Sequence, residues 1–351
     1  MPILTETQLQ EFGVTLLAAG GANESEALIV GRSLVQANLR GHDSHGVMRI
    51  PFYVKQVQDG KLNAGSNLTV VQESSGTVVG DGNWGFGQVL SRQLTEKLID
   101  KAATAGIASG TLRQSAHIGR LGEYAEMAAA KNMAAIICAN THGAAQRVAP
   151  VGGKRPRLGT NPLCIGMPGG KNGPFVLDFG TSATAEGKVR VKKIAGEKVP
   201  DGWVLDPEGN PTNDPNQLYG DPPGTILPMG GDQAYKGFGL SFMIEMLCGA
   251  LSGGQCAYPD PPPPVGNAAF FIVIDPSQYA GFEHLKSEVA SLEEYVRSVP
   301  RIDGVNEIFL PGDPEQRTLA KRSAEGIPLD DGNWNALLKL AEELGVTPPT
   351  V

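Results

Sequence analysis

Histidines are the residues of this chain best suited to proton transfer. The sequence has 5 histidines, and four of them, His42, His45, His117 and His142, lie beside or near glycines. Imidazole is the side chain whose ordinary pKa lies closest to neutrality, so a positioned histidine can both give and take a proton. These four residues are therefore the first candidates for a proton-transferring group.

One histidine is followed by an arginine and a tyrosine at helical spacing, because His45, Arg49 and Tyr53 stand at i, i+4 and i+8. If Ser44 is the N-cap of a helix, these side chains share one face, although Pro51 must kink the helix between them. Arginine pairs with a carboxylate through two parallel hydrogen bonds, while a nearby imidazole exchanges a proton with the adjacent oxygen. The spacing predicts a site for a small carboxylate that carries a carbonyl. An exposed polar helix face would show the same spacing.

A second histidine precedes a predicted helix with glycines at its start. His117 is followed by Gly119, and Gly122 opens the helix. Free backbone amides and the positive end of the helix dipole favour an anion there, so the position suits the phosphate of a cofactor. A histidine that only caps a turn would need no ligand, and this structural interpretation stays open.

Two later segments carry polar side chains that could bind a ligand. Thr160 lies in a Gly-Thr-Asn-Pro turn, where its hydroxyl is available for hydrogen bonding. Asp178 follows a short predicted strand, and strand ends often contribute to ligand sites. Each residue could equally serve the fold alone, as part of a turn or as a helix cap.

A glycine-rich turn resembles a dinucleotide-binding fingerprint. Gly80, Gly82 and Gly85 fit the pattern G-x-G-x-x-G between a predicted strand and a predicted helix. However, the strand expected after that helix ends in Arg113 and offers no acidic residue for a ribose, and bulky Trp84 occupies the turn. We therefore interpret the motif as a turn into a helix rather than as a Rossmann site.

Capping signals place two short helices before these motifs. Thr5 with Gln8, and Asn23 with Glu26, each fit a capping box, in which side chains satisfy the free amides of a helix start. Apolar residues recur near a 3.6-residue period after both caps. The N-terminal part of the chain is therefore predicted to be helical.

From about residue 68 the pattern changes to short β-branched runs that alternate with helices. The predicted strands are 77–79, 134–139, 175–177 and 270–274. The predicted helices are 88–105, 122–131 and 238–251. Turn residues fill 196–231, which predicts a long excursion, and the tail after Asp313 returns to helix.

Composition and charge argue against several classes of partner. Hydrophobic residues make up 41% of the 351 residues, as in a chain that folds. Lys+Arg 29 against Asp+Glu 37 gives a net charge of -8 without a basic run, so no nucleic acid partner is expected. The longest apolar run, 268–274, is far shorter than the ~20 residues that span a bilayer, so no membrane partner is expected.

The N-terminal sequence and the cysteines add expectations about location and metal binding. The first residues lack the basic and apolar regions of a signal peptide, which predicts a cytoplasmic protein. The 4 cysteines show no CxxC spacing and are interpreted as reduced, mostly buried thiols. His42, Asp43 and His45 have no matching second cluster of ligands, so no metal is predicted.

Six blocks of the sequence together resemble one known family. They are GHDSHGVMRIPFYV, SAHIGRLGEYAEMAA, ANTHGAAQRVAPVGGKRPRLGTNP, FVLDFGTSATAEGKV, YKGFGLSFMIEML and GVNEIFLPGDPEQR. In this order, and over nearly the whole chain, they resemble the malate/L-lactate dehydrogenase family of the second, non-Rossmann type. That family includes ureidoglycolate and sulfolactate dehydrogenases, diketogulonate reductase and reductases of cyclic imino acids.

The resemblance implies an α+β fold, with a non-Rossmann mixed-sheet cofactor domain and a helical domain built from the N- and C-terminal segments. The corresponding boundaries are 1–70 for the N-terminal helical segment, 71–312 for the cofactor- and substrate-binding domain and 313–351 for the C-terminal helical segment. It also implies a homodimer that binds NAD or NADP near the subunit interface.

The resemblance further implies roles for individual residues. Ser44 and His45 resemble a relay and its proton donor or acceptor, while His117 is the catalytic base in some members, so the two histidines compete for one role. Arg49 resembles a clamp for the substrate carboxylate, and Thr160 resembles a substrate contact.

The implied cofactor contacts lie in four segments of the chain. They are His117, Ile118, Gly119, Arg120, Leu121, Asp178, Phe179, Gly180, Lys236, Pro311, Gly312, Asp313, Pro314, Glu315, Gln316 and Arg317. Glu186 departs from members that carry a basic residue at this position, which leaves open whether a second substrate carboxylate is recognised.

The function expected from the resemblance is hydride transfer between a nicotinamide cofactor and a small 2-hydroxy or 2-oxo acid such as malate or lactate. Reduction of a carbonyl builds negative charge on its oxygen, which a protonated imidazole can neutralise. Two alternatives stay open: a reductase of a cyclic imine carboxylate, of the piperideine- or pyrroline-2-carboxylate type, and a non-catalytic ligand-binding relative.

Overall fold

The computed structural model describes residues 1–350 and consists of helices packed around a mixed sheet. The strands are β1 Ile3–Leu4, β2 Thr69–Glu73, β3 Thr77–Asp81, β4 Ile107–Ser115, β5 Ala134–Asn140, β6 Pro162–Met167, β7 Phe175–Gly180, β8 Val204–Leu205, β9 Pro211–Thr212, β10 Thr225–Ile226, β11 Asn267–Ile274 and β12 Ile327–Pro328. The helices are α1 Glu6–Ala19, α2 Glu24–Leu39, α3 Ile50–Gln58, α4 Gly87–Ala105, α5 Gly122–Ala129, α6 Glu186–Ala195, α7 Ala234–Glu245, α8 Phe282–Arg297, α9 Asp313–Glu325 and α10 Asp331–Leu344.

The main sheet has seven strands in the order β2-β3-β4-β11-β5-β6-β7. Its pairs are antiparallel except for β3 and β4, which run parallel and are joined by α4. Strand β11, from late in the chain, lies between β4 and β5 and pairs with both along its length. The predicted non-Rossmann mixed sheet is therefore confirmed.

A helical layer combines the two ends of the chain, as predicted. Strand β1 pairs with β12, so the N-terminus is fixed beside the C-terminal helices. Helices α1, α2, α3 and α10 share one core, to which Leu9, Leu34, Tyr53 and Leu337 contribute buried side chains. The exact boundaries at 1–70, 71–312 and 313–351 stay predictions, and residue 351 lies outside the described residues.

The local sequence signals identified most of the elements correctly. Both predicted capping boxes form, at Thr5 with Gln8 and at Asn23 with Glu26. The predicted strands and helices all occur, although several extend further, and the predicted helix at 238–251 is α7 followed by a π-helical turn at Met246–Ala250. Helices α6 and α8 were not predicted.

In the glycine-rich turn between β3 and α4, the amides of residues 82 to 85 all donate within the chain, so none of these four is free to hold a phosphate. The amides of Gly82 and Trp84 donate to the carbonyls of Arg113 and Gln114, at 2.9 and 2.6 Å. A Cβ on Gly82 would lie 2.6 Å from a methyl group of Leu90. The turn therefore packs against its own domain, which agrees with its interpretation as a turn into a helix.

Candidate active site

The segment around His45 differs from the continuous helix that the spacing predicted. Asp43–His45 and Val47–Arg49 form two separate single 3-10 turns, and α3 begins only at Ile50. Ser44 is not a helix N-cap, which corrects the prediction. Pro51 does not kink a helix either, because it lies in the first turn of α3, where its missing N–H is not needed.

The break between the two turns has a physical cause in the buried side chain of Asn38. Its Oδ1 accepts a hydrogen bond from the amide of Val47 at 2.9 Å, and its Nδ2 donates to Asp43 Oδ1 at 2.6 Å. A Cβ on Gly46 would lie 2.2 Å from Asn38 Oδ1, so only glycine fits between them. This tertiary contact overrides the helical periodicity of the segment.

The predicted catalytic and substrate-binding side chains nevertheless converge. Tyr53 Oη lies 2.7 Å from His117 Nδ1. The rings of His45 and His117 are stacked, with centroids 5.5 Å apart and planes inclined by 22°. Ser44 Oγ lies 3.0 Å from His45 Nδ1, and Arg49 Nε donates to the Ser44 carbonyl at 2.7 Å. The structure thus brings together two imidazoles, a guanidinium, a phenol and a hydroxyl.

Arg49 is the cationic group of this cluster and has no acidic partner. Within residues 1–350 it forms no salt bridge, whereas the buried Arg120 pairs with Glu126 at 2.7 Å. An unpaired, half-buried guanidinium is unfavourable unless an anion reaches it. Because its Nε is already held by a carbonyl, its two terminal nitrogens remain for the parallel hydrogen bonds that a carboxylate accepts.

Both imidazoles of the cluster are neutral at pH 7. Burial, followed by the charge of Arg49, lowers the pKa of His45 to about 3. The same two causes hold the pKa of His117 well below its ordinary value. Burial raises the pKa of Tyr53 to about 12, so its hydroxyl keeps its proton. A substrate carboxylate on Arg49 would remove one cause of the lowered histidine pKa values.

A second cluster adjoins the first through the segment that follows His117. It consists of His42, Arg120, Asp178 and Glu315. His42 Nε2 lies 3.3 Å from Glu315 Oε1 at the start of α9. Burial raises the pKa of Asp178, while the charges of Arg120 and His42 lower it. The charges of His42 and Arg120 also contribute to the lowered pKa of His45, so the two clusters are neighbours.

The start of α5 is not the free anion site that the sequence suggested. The amide of Gly122 donates to Asp178 Oδ2 at 2.8 Å, and the amide of Gly119 donates toward His117 Nδ1 at 3.4 Å. Asp178 lies within β7 rather than after it, and its carboxylate caps α5. The expectation of free amides for a cofactor phosphate at Gly122 was therefore wrong.

The remaining residues of the segment 117–122 contribute mainly backbone. The side chains of Ile118 and Leu121 are buried in the core beneath the sheet. The amide of Ile118 donates to Asn267 Oδ1 at 3.0 Å, which fixes the segment to β11. The only strongly polar side chain among them, Arg120, is held by Glu126 on α5.

Residues near the end of β7 lie beside the predicted substrate contact. The carbonyl of Thr160 accepts a hydrogen bond from the Thr181 amide at 2.9 Å. A Cβ on Gly180 would lie 3.3 Å from that carbonyl, and Phe179 pairs in register with Leu163 on β6. Thr160, Phe179 and Gly180 therefore form one local group at this end of the sheet.

The predicted cofactor residues 311–317 span the turn into α9 and its first helical turn. The Pro311 carbonyl accepts from the Val176 amide at 3.4 Å, and a Cβ on Gly312 would lie 3.2 Å from that same nitrogen. Asp313 pairs with Arg297 on α8 at 2.9 Å. These contacts dock the start of α9 against β7, and Glu315 in the same turn reaches His42.

The other predicted cofactor residues lie at the edge of the contact between α9 and β7 or outside it. Pro314 is exposed in the first turn of α9. Gln316 lies near Gly173, because a Cβ added to Gly173 would be 3.4 Å from Gln316 Nε2. Arg317 is exposed, pairs with Glu307 and lies over a phenylalanine ring. Lys236 is exposed at the start of α7, 5.9 Å from the ring of Tyr235, a contact that joins it to neither cluster.

Gln88 is a member of the first cluster that sequence reasoning missed. It lies in the first turn of α4, is fully buried, and its Nε2 donates to Tyr53 Oη at 2.9 Å. A signal was present, because Gln88, Ser91 and Thr95 recur at i, i+3 and i+7 on a helix. Such a polar stripe would ordinarily predict a solvent-exposed face, whereas all three residues are buried.

The second cluster has donor and acceptor chemistry that fits a nicotinamide dinucleotide. The ribose hydroxyls and the carboxamide of such a cofactor are hydrogen-bond donors, and carboxylates are suitable acceptors for them. Asp178 uses Oδ2 for the Gly122 amide, so Oδ1 is the oxygen left for a ligand, and Glu315 is half-buried nearby. The residues present are therefore compatible with this cofactor.

Comparison with known proteins identifies relatives over almost the whole chain. The family model described as malate/L-lactate dehydrogenase matches residues 4–338. Hydroxycarboxylate dehydrogenase B of Escherichia coli (strain K12) is 37% identical over 335 residues, which cover 94% of this chain and 91% of that protein.

Solved structures extend the similarity to the whole fold. Sulfolactate dehydrogenase of Methanocaldococcus jannaschii superposes with a TM-score of 0.87 at 34% identity, covering 99% of this chain and 98% of that one. Delta1-piperideine-2-carboxylate reductase of Pseudomonas syringae superposes with a TM-score of 0.83 at 30% identity, covering 97% of this chain and 100% of that one. These matches define the class of the protein, which is that of the hydroxy acid dehydrogenases. Within this class, the chain belongs to the malate/L-lactate dehydrogenase family.

Across residues 1–350, none of the helices is both long and apolar enough to cross a membrane. The thiols of Cys138, Cys164, Cys248 and Cys256 are free, and all but the last are buried, as predicted.

Proposed function

We propose that this protein is an NAD- or NADP-dependent dehydrogenase that transfers a hydride between the nicotinamide and carbon 2 of a small 2-hydroxy or 2-oxo acid, such as lactate or malate. The observation that carries the proposal is the unpaired guanidinium of Arg49 beside the neutral imidazoles of His45 and His117. When bound, the cofactor supplies or accepts the hydride.

Arg49 binds the substrate carboxylate through its terminal nitrogens. Its Nε is held by the Ser44 carbonyl, so the guanidinium plane is fixed and the bound acid is oriented. Thr160, close to the end of β7, is proposed as a second substrate contact. Asp178, Glu315 and the segment from His117 to Leu121 would hold the cofactor beside this acid.

His45 is the group that exchanges the proton with the substrate oxygen. Its Nδ1 lies 3.0 Å from the Ser44 hydroxyl, which can either donate or accept, so Nε2 is left to act as base or acid. A neutral imidazole can take the proton of a 2-hydroxyl group as the hydride leaves. In the reverse direction, the bound carboxylate neutralises Arg49 and so favours the imidazolium that must donate.

A second candidate function is reduction of a cyclic imine carboxylate. The similarity to delta1-piperideine-2-carboxylate reductase supports it, and the same carboxylate clamp would suit such a substrate. A panel of 2-oxo acids, 2-hydroxy acids and cyclic imine carboxylates, each with NAD(H) and NADP(H), separates the two by the absorbance of the reduced nicotinamide. If no member of the panel is turned over, a non-catalytic relative is the better interpretation.

We also propose that the protein is a homodimer. Helix α7 and the π-helical turn after it present large apolar side chains to solvent: Phe242 and Met243 are 50% and 52% exposed, and Leu251 is 60% exposed. Adjacent exposed apolar side chains of this size are typical of protein interfaces. Light scattering coupled to gel filtration tests the proposal, and a monomeric mass at micromolar concentration would contradict it.

A further inference from the structure

Gln88 is a buried polar residue beside the proposed active site that contacts neither the reacting atoms nor a charge. Its side chain is fully buried, and its Nε2 donates to Tyr53 Oη at 2.9 Å. Its Oε1 is buried without a partner among residues 1–350. The unmet acceptor costs stability, so a functional role would account for an amide at this buried position.

The hydrogen bonds around Tyr53 and His117 fix the position of one proton. His117 Nδ1 lies 2.7 Å from Tyr53 Oη and 3.4 Å from the Gly119 amide nitrogen. A backbone N–H can only donate, so this neighbour favours an Nδ1 that carries no proton. The Tyr53 hydroxyl then donates its single proton to Nδ1, and its oxygen accepts from Gln88.

We propose that Gln88 is a positioning residue that, through Tyr53, holds His117 as the neutral imidazole with its proton on Nε2. In this form His117 presents an N–H to the substrate oxygen and stabilises negative charge there, while His45 exchanges the proton. The two histidines then have different roles rather than competing for one. The role of His117 toward substrate rests on the proposed function, whereas the position of its proton does not.

The backbone around Gln88 is packed so that this orientation is maintained. A Cβ on Gly87 would lie 2.5 Å from the His117 carbonyl, so the first residue of α4 is in direct contact with the histidine segment. A Cβ on Gly119 would lie 3.3 Å from Gln88 Nε2. The glycine-rich turn that resembles a dinucleotide fingerprint therefore docks α4 against the active site and delivers Gln88 to Tyr53.

The position of the proton can be measured without any substrate. In protein labelled with 15N-histidine, two-bond 1H–15N correlations distinguish the two neutral tautomers of His117, whose signals are assigned by their loss in His117→Gln. We expect the wild-type protein at pH 7.5 to show Nε2 protonated and Nδ1 unprotonated. An Nδ1-protonated His117 would overturn the proposal.

Variants then test whether Gln88 is responsible. Gln88→Met keeps the size of the side chain but removes the donor to Tyr53, so the Tyr53 oxygen becomes free to accept from Nδ1. Only the long contact with the Gly119 amide then opposes an Nδ1-protonated His117, and we expect the fraction of that tautomer to rise. Gln88→Leu removes the same donor and gives the same readout if Gln88→Met does not fold. A tautomer unchanged from wild type in either variant would refute the role of Gln88.

Kinetics separate a positioning role from a structural one. We expect Gln88→Met to lower kcat by about tenfold to a hundredfold, of the order of one lost transition-state hydrogen bond, with KM for the carboxylate within about twofold. The control is Thr95→Val, a buried polar-to-apolar change on the same helix face. An equal loss of kcat in both variants would make the effect structural. If no substrate is turned over at all, the proposed function fails while the tautomer measurement still decides the inference.

Discussion

Replacing Arg49 by lysine tests what the active site recognises. Lysine keeps the positive charge but loses the planar fork and the Nε that donates to the Ser44 carbonyl at 2.7 Å. Each hydrogen bond to a charged group contributes roughly 1.5–3 kcal/mol. With one such bond to the carboxylate lost, kcat/KM for a 2-oxo acid should fall about tenfold to 150-fold.

The assay compares substrates with and without the carboxylate. Steady-state oxidation of the reduced nicotinamide gives kcat/KM for a 2-oxo acid and for a ketone that lacks the acid group. We expect the ketone to be a poor substrate of the wild-type enzyme and to be nearly indifferent to Arg49→Lys. Because lysine retains the charge that lowers the pKa of His45 and His117, the pH dependence of kcat should change little.

A matched substitution and a clear contrary result complete this test. Arg301→Lys makes the same chemical change at an exposed position, where the guanidinium donates to the Asn306 carbonyl, and should leave both substrates unaffected. Equal slowing of both substrates by Arg49→Lys would show that Arg49 is structural and that the carboxylate clamp lies elsewhere.

Three further predictions follow from the same geometry. His45→Asn should lower turnover about a hundredfold or more while a fluorescence titration still shows bound reduced cofactor, and unchanged turnover would transfer the role to His117. Gly82→Ala should lower the free energy of unfolding in denaturant titrations by about 1–3 kcal/mol, because the added Cβ would lie 2.6 Å from Leu90. KM for the cofactor should not change. A selective loss of cofactor affinity would restore a Rossmann interpretation. The free energy of unfolding should fall between pH 7 and 5 by roughly 1–2 kcal/mol for each of His45 and His117. The reason is that imidazoles of the unfolded chain bind protons below about pH 6.5, while the two buried imidazoles of the folded protein stay neutral. An equally steep fall in the His45→Asn variant would contradict this assignment for His45.

The structure places some of the residues with roles implied by the family resemblance close together, but not all of them. Ser44, His45, Arg49 and His117 are joined by a series of contacts, while the roles that the resemblance implies for them stay predictions. Lys236 lies on an exposed helix start, which makes its contact with cofactor a prediction that needs a bound complex or a second subunit to test.

Local signals in the sequence determined much of the fold. The capping boxes at Thr5 and Asn23 formed as predicted, because a cap depends on residues three positions apart. Strand β11 and helix α4 were predicted from short apolar runs, since their side chains meet the core in a regular period. Amphipathic α8 was missed, although its period was present, because its N-cap residue is Gly281, which offers no capping side chain to mark the helix start.

Only the tertiary structure decided how the active site is assembled. Asn38 breaks the segment before Arg49 into two short turns, Asp178 caps a helix across the sheet, and Gln88 orients Tyr53 from another helix. Asn38 acts across only five to nine positions, but Asp178 and Gly122 are 56 positions apart and Gln88 and Tyr53 are 35 apart, so no local period encodes the last two contacts. The sequence by itself determined which chemical groups were available. Packing determined which of them meet and which nitrogen of His117 faces the Tyr53 hydroxyl, because that depends on the distances between elements that fold separately.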